Sequence, residues 1–247
     1  MIRPDDLPSS SSQQGLPPIR GFLPSTLIDW PGRIAAMVFL PYCNYRCGYC
    51  HSGALLMADT HEEIPFDQVR DYLESKRKWL DGVVICGGEP TLHAELDELC
   101  RRLRGMGYAI KLDTNGSQPE VLQRLIEAQL IDAVSMDVKT VLDHRMAELT
   151  RAEVDLEAVD RSISLLEASP LEVEFRTTCC PAFVDEEAIE WIARRLGPEA
   201  NYVLQRFEPQ HCLEPVFRSM QPYAAPQMEH LLDVARRHCH KARLRNG

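Results

Sequence analysis

Six short apolar runs recur along the chain, each followed by a stretch of helical periodicity, and that alternation limits the possible folds. The runs occupy residues 35–40, 82–86, 109–113, 133–138, 171–177 and 201–207. Between them, apolar residues return at helical spacing, as in Leu92, Leu96, Leu99 and Leu103, which step by i, i+4, i+7 and i+11. Similar faces are set by Val69 and Leu73, Leu122 and Leu125, Val159 and Ile163, Ile189 and Ile192, and Leu231 and Leu232. Strands that alternate with helices form a parallel sheet with right-handed crossovers. Eight such units close a barrel of about 250 residues. Six units in 247 residues therefore predict an α/β fold, a single-domain partial (β/α)6 barrel over residues 19–247. Residues 1–18, rich in Pro, Ser and Gln, are too polar to fold alone and read as a disordered N-terminal tail. Residues 19–33 read as a short extended piece that ends in a turn at Trp30-Pro31-Gly32.

A hydrophobic fraction of 45% is enough for one sizeable core. The net charge of −10 argues against a nucleic-acid surface, which is normally basic. No apolar run approaches the roughly 18 residues of a membrane span. Residues 1–14 contain no apolar segment of the kind found in secretory signals. Nine unevenly clustered cysteines read as reduced thiols and metal ligands, and the expected compartment is the cytoplasm.

In parallel α/β folds ligands bind at the carboxyl ends of the strands, so those ends are the place to look for chemistry. The first run feeds directly into Pro41–His51, where Cys43, Cys47 and Cys50 stand at C-x3-C-x2-C spacing. Thiolates this close converge on a soft metal centre. A 4Fe–4S cube takes four ligands, so three leave one iron open for chemistry. A zinc knuckle completed by His51 shares the same spacing. The later ends carry Gly87-Gly88-Glu89-Pro90, Asp113-Thr114-Asn115-Gly116, Asp137-Val138-Lys139, Arg176-Thr177-Thr178 and Arg206. Gly87 and Gly88 allow a ligand close to the backbone, and the Glu89 carboxylate suits an ammonium group. Asn115-Gly116 also reads as a plain turn, Asp137 and Lys139 as a surface pair, and Arg176 as a salt-bridged core arginine. No Ser/His or paired-carboxylate constellation is visible.

The cysteine loop, with Tyr49 just before its third cysteine, resembles the radical S-adenosylmethionine (SAM) enzymes, whose loop reads C-x3-C-x-aromatic-C. That resemblance implies a 4Fe–4S cluster on Cys43, Cys47 and Cys50, with SAM on the fourth iron. It also implies that Gly87, Gly88, Glu89 and Pro90 bind the SAM amino group. The D-T-N-G and D-x-K sequences resemble the glycyl-radical-enzyme activating family within that superfamily. There Asp113, Thr114, Asn115, Asp137 and Lys139 would surround the SAM carboxylate and ribose, and Arg176 would meet the carboxylate. Ser25–Gly32 resembles the stretch that lies beside the partner's glycine loop, which makes Asp29, with Lys139, a candidate catalytic residue. Taken together, the motifs most resemble activating proteins of anaerobic ribonucleoside-triphosphate reductase over about residues 20–210. The implied partners are that glycyl radical enzyme and a flavodoxin- or ferredoxin-like electron donor. Departures are Tyr42 where Gly is usual, Ser52 where Asn is usual, and Cys86 where Ser or Thr is common. The competing reading is a small-molecule radical SAM enzyme similar to 7-carboxy-7-deazaguanine synthase. Cys179, Cys180, Cys212 and Cys239, with His211, His238 and His240, match no cluster spacing and read as inert thiols rather than an auxiliary metal site. Cys100 falls in a helix, and His61 and His93 read as solvated loop residues.

Overall fold

The computed structural model describes residues 15–56 and 62–245. Each expected run forms a strand: β2 (Ala35–Leu40), β3 (Gly82–Gly87), β4 (Ala109–Thr114), β5 (Ala133–Asp137), β6 (Glu172–Cys179) and β7 (Tyr202–Arg206). They lie side by side in chain order, every neighbouring pair parallel. Two further strands extend the sheet. β1 (Gly21–Thr26) pairs antiparallel with β2, and β8 (Arg243–Arg245) pairs parallel with β7. The link from β1 to β2 is too short for a crossover, so an antiparallel return is its only route into the sheet. β8 has no β-branched signal in sequence. It is held by Arg243 and Arg245, which both pair with Glu174 of β6. The eight-stranded sheet stays open, with β1 and β8 as its edges.

The period-2 alternation of the strands separates two faces. Val38, Ile85, Leu112, Val134 and Phe175 turn outward into the main core. That core is completed by α1 (Phe66–Lys76), α2 (Leu96–Gly105), α3 (Pro119–Glu127), α5 (Leu156–Glu167), α6 (Glu186–Leu196) and α8 (Ala225–Arg236). The expected helical faces are buried there, including Leu96, Leu99 and Leu103. Asp155 and Asp185 cap α5 and α6 by accepting from Ala158 N and Ala188 N, satisfying a first-turn amide. Two short helices were not foreseen: α4 (His144–Thr150), capped by Asp143, and α7 (Pro215–Arg218).

The other face of the sheet is concave. Near β1–β3 it is apolar, with Trp30, Met37, Val84 and Cys86 packed together. Toward β4–β6 it carries Lys111, Asp113, Ser135, Asp137, Glu174 and Arg176. Residues 1–14 of the expected tail, and His61, lie outside the described residues. Leu16 is buried in the main core, so ordered packing begins before residue 19. No helix among the described residues is long and apolar enough to cross a membrane.

Candidate active site

A cavity of about 320 Å³ opens over the carboxyl ends of β2 to β6. Its wall contains Cys43, Cys47, Cys50, Tyr49, Gly87, Gly88, Glu89, Asp113, Thr114, Asn115, Asp137, Lys139 and Arg176. The topology thus brings together the three cysteines and most of the polar groups expected at the strand ends.

The cysteine loop is fixed on several sides. Arg46 Nη1 donates to the carbonyls of Cys43 and Tyr45, at 2.5 and 2.8 Å, and Arg46 N bonds Thr150 O of α4. Asn115 Nδ2 donates to Asn44 Oδ1 at 2.9 Å and approaches Cys43 Sγ at 3.8 Å. The segment before α7 pairs with the loop through Leu213 N to Cys50 O and Glu214 N to Gly48 O. Phe207 and Phe217 meet the Tyr49 ring edge-on. Gly48 leaves room for Phe217, because a Cβ there would overlap that ring. Burial pushes the Cys43 thiol up to about 12, and it also raises Cys47 and Cys50. A bound metal reverses this, since it takes the thiolate and releases the proton.

Gly87 and Gly88 line the cavity and also pack against the protein's own backbone. Gly87 has φ 123°, and a Cβ on either residue would overlap the Leu40 or Tyr42 carbonyl. Gly88 N donates to Leu40 O at 2.8 Å and Glu89 N to Tyr42 O at 2.6 Å. The glycines let the end of β3 lie against the start of the cysteine loop. Tyr42 has φ 65°, in the region that favours glycine, which accounts for the family's usual Gly at this place.

Glu89 is 1% exposed. Its Oε1 accepts from Thr91 N, Thr91 Oγ1 and Thr114 Oγ1, and its Oε2 accepts from Asn115 N at 2.6 Å. Burial raises its pKa, against the pull of these hydrogen bonds. Pro90 opens a short 3-10 turn behind Glu89 and is absent from the cavity wall.

A ladder of alternating charge crosses β4, β5 and β6. Lys111 Nζ meets Asp113 at 2.9 Å, Arg176 bridges Asp113 and Asp137 at 2.8 and 2.9 Å, and Lys139 meets Asp137 at 3.4 Å. Burial alone would raise Asp137, but Arg176 and Lys139 hold its carboxyl below the usual range. Arg176 is salt-bridged, as its core reading expected, and also lines the cavity. Lys111 was not anticipated. It is 3% exposed and donates to Asp29 O at 2.6 Å, tying the loop after β1 to the ladder. The available signal was its i, i+2 spacing from Asp113 within one strand.

Asp29 stands apart from the cavity wall, and its carboxylate accepts from Thr26 Oγ1. Arg206 is exposed and donates to Tyr223 O, so it is turned away from the strand-end cavity. His93 is a correction: it is 3% exposed, with Nε2 donating to Pro41 O at 2.9 Å. It links the turn after β3 to the loop after β2, a contact made only in the fold. Cys100, Cys179, Cys180, Cys212 and Cys239 are buried.

Among the described residues, no group of three or more His, Cys, Asp or Glu is gathered for a single metal ion. His51 Nε2, the fourth ligand of a zinc knuckle, contacts Glu208 O at 2.7 Å. A cube spreads its thiolates over separate irons, so three cysteines along one cavity wall suit it better than they suit one ion. The Tyr45 hydroxyl, buried in the same loop without a partner among the described residues, also fits a polar occupant.

An open parallel barrel with a three-thiol loop and a polar cavity over its strand ends defines a cluster-dependent enzyme. The family pattern of the Radical SAM superfamily matches residues 37–194, and the chain belongs to that superfamily. Its enzymes use a 4Fe–4S cluster and SAM. A Methanocaldococcus jannaschii protein named as a glycyl-radical enzyme activating enzyme is 33% identical over 229 residues, 89% of this chain and 92% of that protein. Among solved structures, a domain of the Bacteroides vulgatus pyruvate-formate lyase-activating enzyme aligns with TM-score 0.55 at 17% identity. It covers 67% of this chain and 99% of that one. Streptococcus suis SuiB bound to SAM aligns with TM-score 0.60 at 15% identity, over 85% of this chain and 52% of that one. At such identities the two structures speak for the fold alone.

Proposed function

We propose that the protein is an activase that generates a glycyl radical on a partner enzyme, and that the partner is an anaerobic ribonucleoside-triphosphate reductase. The observation that supports the activase reading is the 33% identity over 89% of the chain to a protein named for glycyl-radical enzyme activation, while the choice of partner rests on the sequence motifs alone. In this reading Cys43, Cys47 and Cys50 hold three irons of the cluster. When bound and reduced by a flavodoxin- or ferredoxin-like donor, the cluster supplies the electron that splits SAM into methionine and a 5′-deoxyadenosyl radical. The chemistry so supplied would remove a hydrogen atom from the partner's glycine, with 5′-deoxyadenosine as the co-product.

The chain's own residues bind, orient and exclude water. Glu89 keeps acceptor capacity at Oε2 for the SAM ammonium, since one protein donor reaches that oxygen. Lys139 and Arg176 present positive charge for the SAM carboxylate. Thr114 and Asn115 orient Glu89, while Asp113 and Asp137 hold the cations in place. Tyr49, Gly87 and Gly88 shape the cavity wall. Asp29 lies outside the cavity wall on the loop after β1, where the exposed Leu27 and Ile28 would meet a loop of the partner. The ordered chain works as one unit, and a cytoplasmic, reducing compartment belongs to the same reading.

The test is anaerobic reconstitution with iron, sulfide, SAM and a reductant, with and without an anaerobic ribonucleotide reductase. Electron paramagnetic resonance should show a doublet on the partner that collapses toward a singlet when its glycine α-position is deuterated. Asp29→Ala should lower that signal more than it lowers partner-free SAM cleavage. Cleavage without a radical on any glycyl radical partner would favour a small-molecule substrate instead.

A further inference from the structure

Tyr45 stands between Cys43 and Cys47, is 2% exposed and forms part of the cavity wall. Its backbone is accounted for: the amide donates to Cys43 Sγ at 3.3 Å and the carbonyl accepts from Arg46. Its hydroxyl is not. Oη is buried and has no hydrogen-bond partner among the described residues. Two other buried tyrosines behave differently. Tyr108 Oη donates to Leu73 O at 2.6 Å, and Tyr202 Oη donates to Thr177 Oγ1 at 2.9 Å.

A buried hydroxyl without a partner is costly, and phenylalanine would fill the same space without that cost. The ionisable groups around the Tyr45 hydroxyl are Lys139, Glu89, Cys43 and Cys47. Lys139, a donor only, meets Asp137 at 3.4 Å, and no hydrogen bond joins it to Tyr45 among the described residues, so it offers the hydroxyl proton no acceptor. The Glu89 oxygens are engaged by Thr91, Thr114 and Asn115. The acceptors on its own loop are the sulfurs: Cys43 and Cys47 flank Tyr45 in sequence and share the cavity wall with it.

We propose that Tyr45 Oη donates a hydrogen bond to a sulfur of the cluster and so raises its reduction potential. A donor aimed at sulfur stabilises the more negative, reduced state. This rests on the cysteine loop holding a 4Fe–4S cluster, and the test separates the two claims.

Wild type, Tyr45→Phe and, as a control remote from the cysteine loop, Tyr202→Phe are reconstituted anaerobically, and iron and sulfide are counted. Their midpoint potentials are then measured without SAM by redox titration followed by electron paramagnetic resonance. Absence of a cluster from wild type would defeat the underlying assignment. With a full cluster in all three, the expected result is a more negative potential for Tyr45→Phe alone, with unchanged calorimetric affinity for SAM. An unchanged potential overturns the proposal. So does an unchanged potential with weakened SAM binding, which assigns the hydroxyl to SAM. Loss of iron from Tyr45→Phe also overturns it, because the hydroxyl would then hold the cluster rather than tune it.

Discussion

Arg176 of β6 donates Nη1 to Asp113 of β4 at 2.8 Å, reaching across the end of β5 that lies between them. Its Nε holds Asp137 of β5 in the same reach, at 2.9 Å. One guanidinium therefore pins three strand ends beneath the cavity. Removing one partner of a buried pair costs about 3–5 kcal/mol when the remaining charge is left alone. Here Lys111 and Lys139 still face the two carboxylates, and Asp137 keeps some solvent contact. Arg176→Met should therefore destabilise the protein by roughly 1–3 kcal/mol, read as a lower denaturant midpoint. An unaltered midpoint would show that the bridges add nothing to stability.

The cysteine loop contains no spare thiol. Replacing Cys43, Cys47 or Cys50 singly by Ala should prevent stable 4Fe–4S assembly, measured as iron and sulfide after anaerobic reconstitution. Cys100 lies on α2, fully buried and distant from the strand ends. Cys100→Ala should retain the whole cluster while costing on the order of 1 kcal/mol for the lost sulfur volume. Full cluster content in the three loop variants would sink the ligand assignment.

Glu89 joins the ends of β3 and β4, so its replacement should do two things. Glu89→Gln swaps one acceptor oxygen for an NH2 group, which then faces an obligate backbone donor, Asn115 N on one side or Thr91 N on the other. That mismatch should destabilise the fold by about 1–3 kcal/mol. Loss of the charge should also weaken SAM binding by roughly 1–2 kcal/mol, as a charge-assisted hydrogen bond becomes a neutral one. Thermal unfolding and calorimetric titration with SAM read the two effects separately. Unchanged SAM affinity would remove Glu89 from the ammonium site.

His93 gives a pH dependence of definite sign. Burial lowers its pKa below the ordinary value, outweighing the Pro41 carbonyl that pulls it up. The folded protein then binds fewer protons at this residue than the unfolded chain does. Its stability contribution is complete above the unfolded pKa of about 6.5 and declines as pH falls toward the folded value. Apo-protein denaturation at pH 7.5 and pH 5.5 should show a larger loss for wild type than for His93→Gln. Equal losses would mean that His93 does not titrate differently in the two states.

The strand ends were legible because a short apolar run fixes both where a strand stops and which residue follows it. Cys43, Glu89, Asp113 and Asp137 were found in that way, and each reached the cavity wall. Arg206 was not, although its run was read correctly. At the end of β7 its side chain bonds the carbonyl of Tyr223, far along the chain. Gly87 and Gly88 reached the cavity wall, and the fold adds a close approach by the protein's own loop after β2, which no local pattern shows.

By itself, the sequence determined the alternation of six strands with helices, the thiol spacing and the polar residues at each strand end. These follow from local periodicity and from residues only a few positions apart. Only the tertiary structure decided that β1 runs antiparallel, that Arg243 and Arg245 make an eighth strand, and that Lys111 reaches Asp29. It also decided that His93 is buried and that the Tyr45 hydroxyl lacks a partner among the described residues. Those outcomes depend on side-chain direction and strand register, which bring together groups tens of residues apart that no local pattern records.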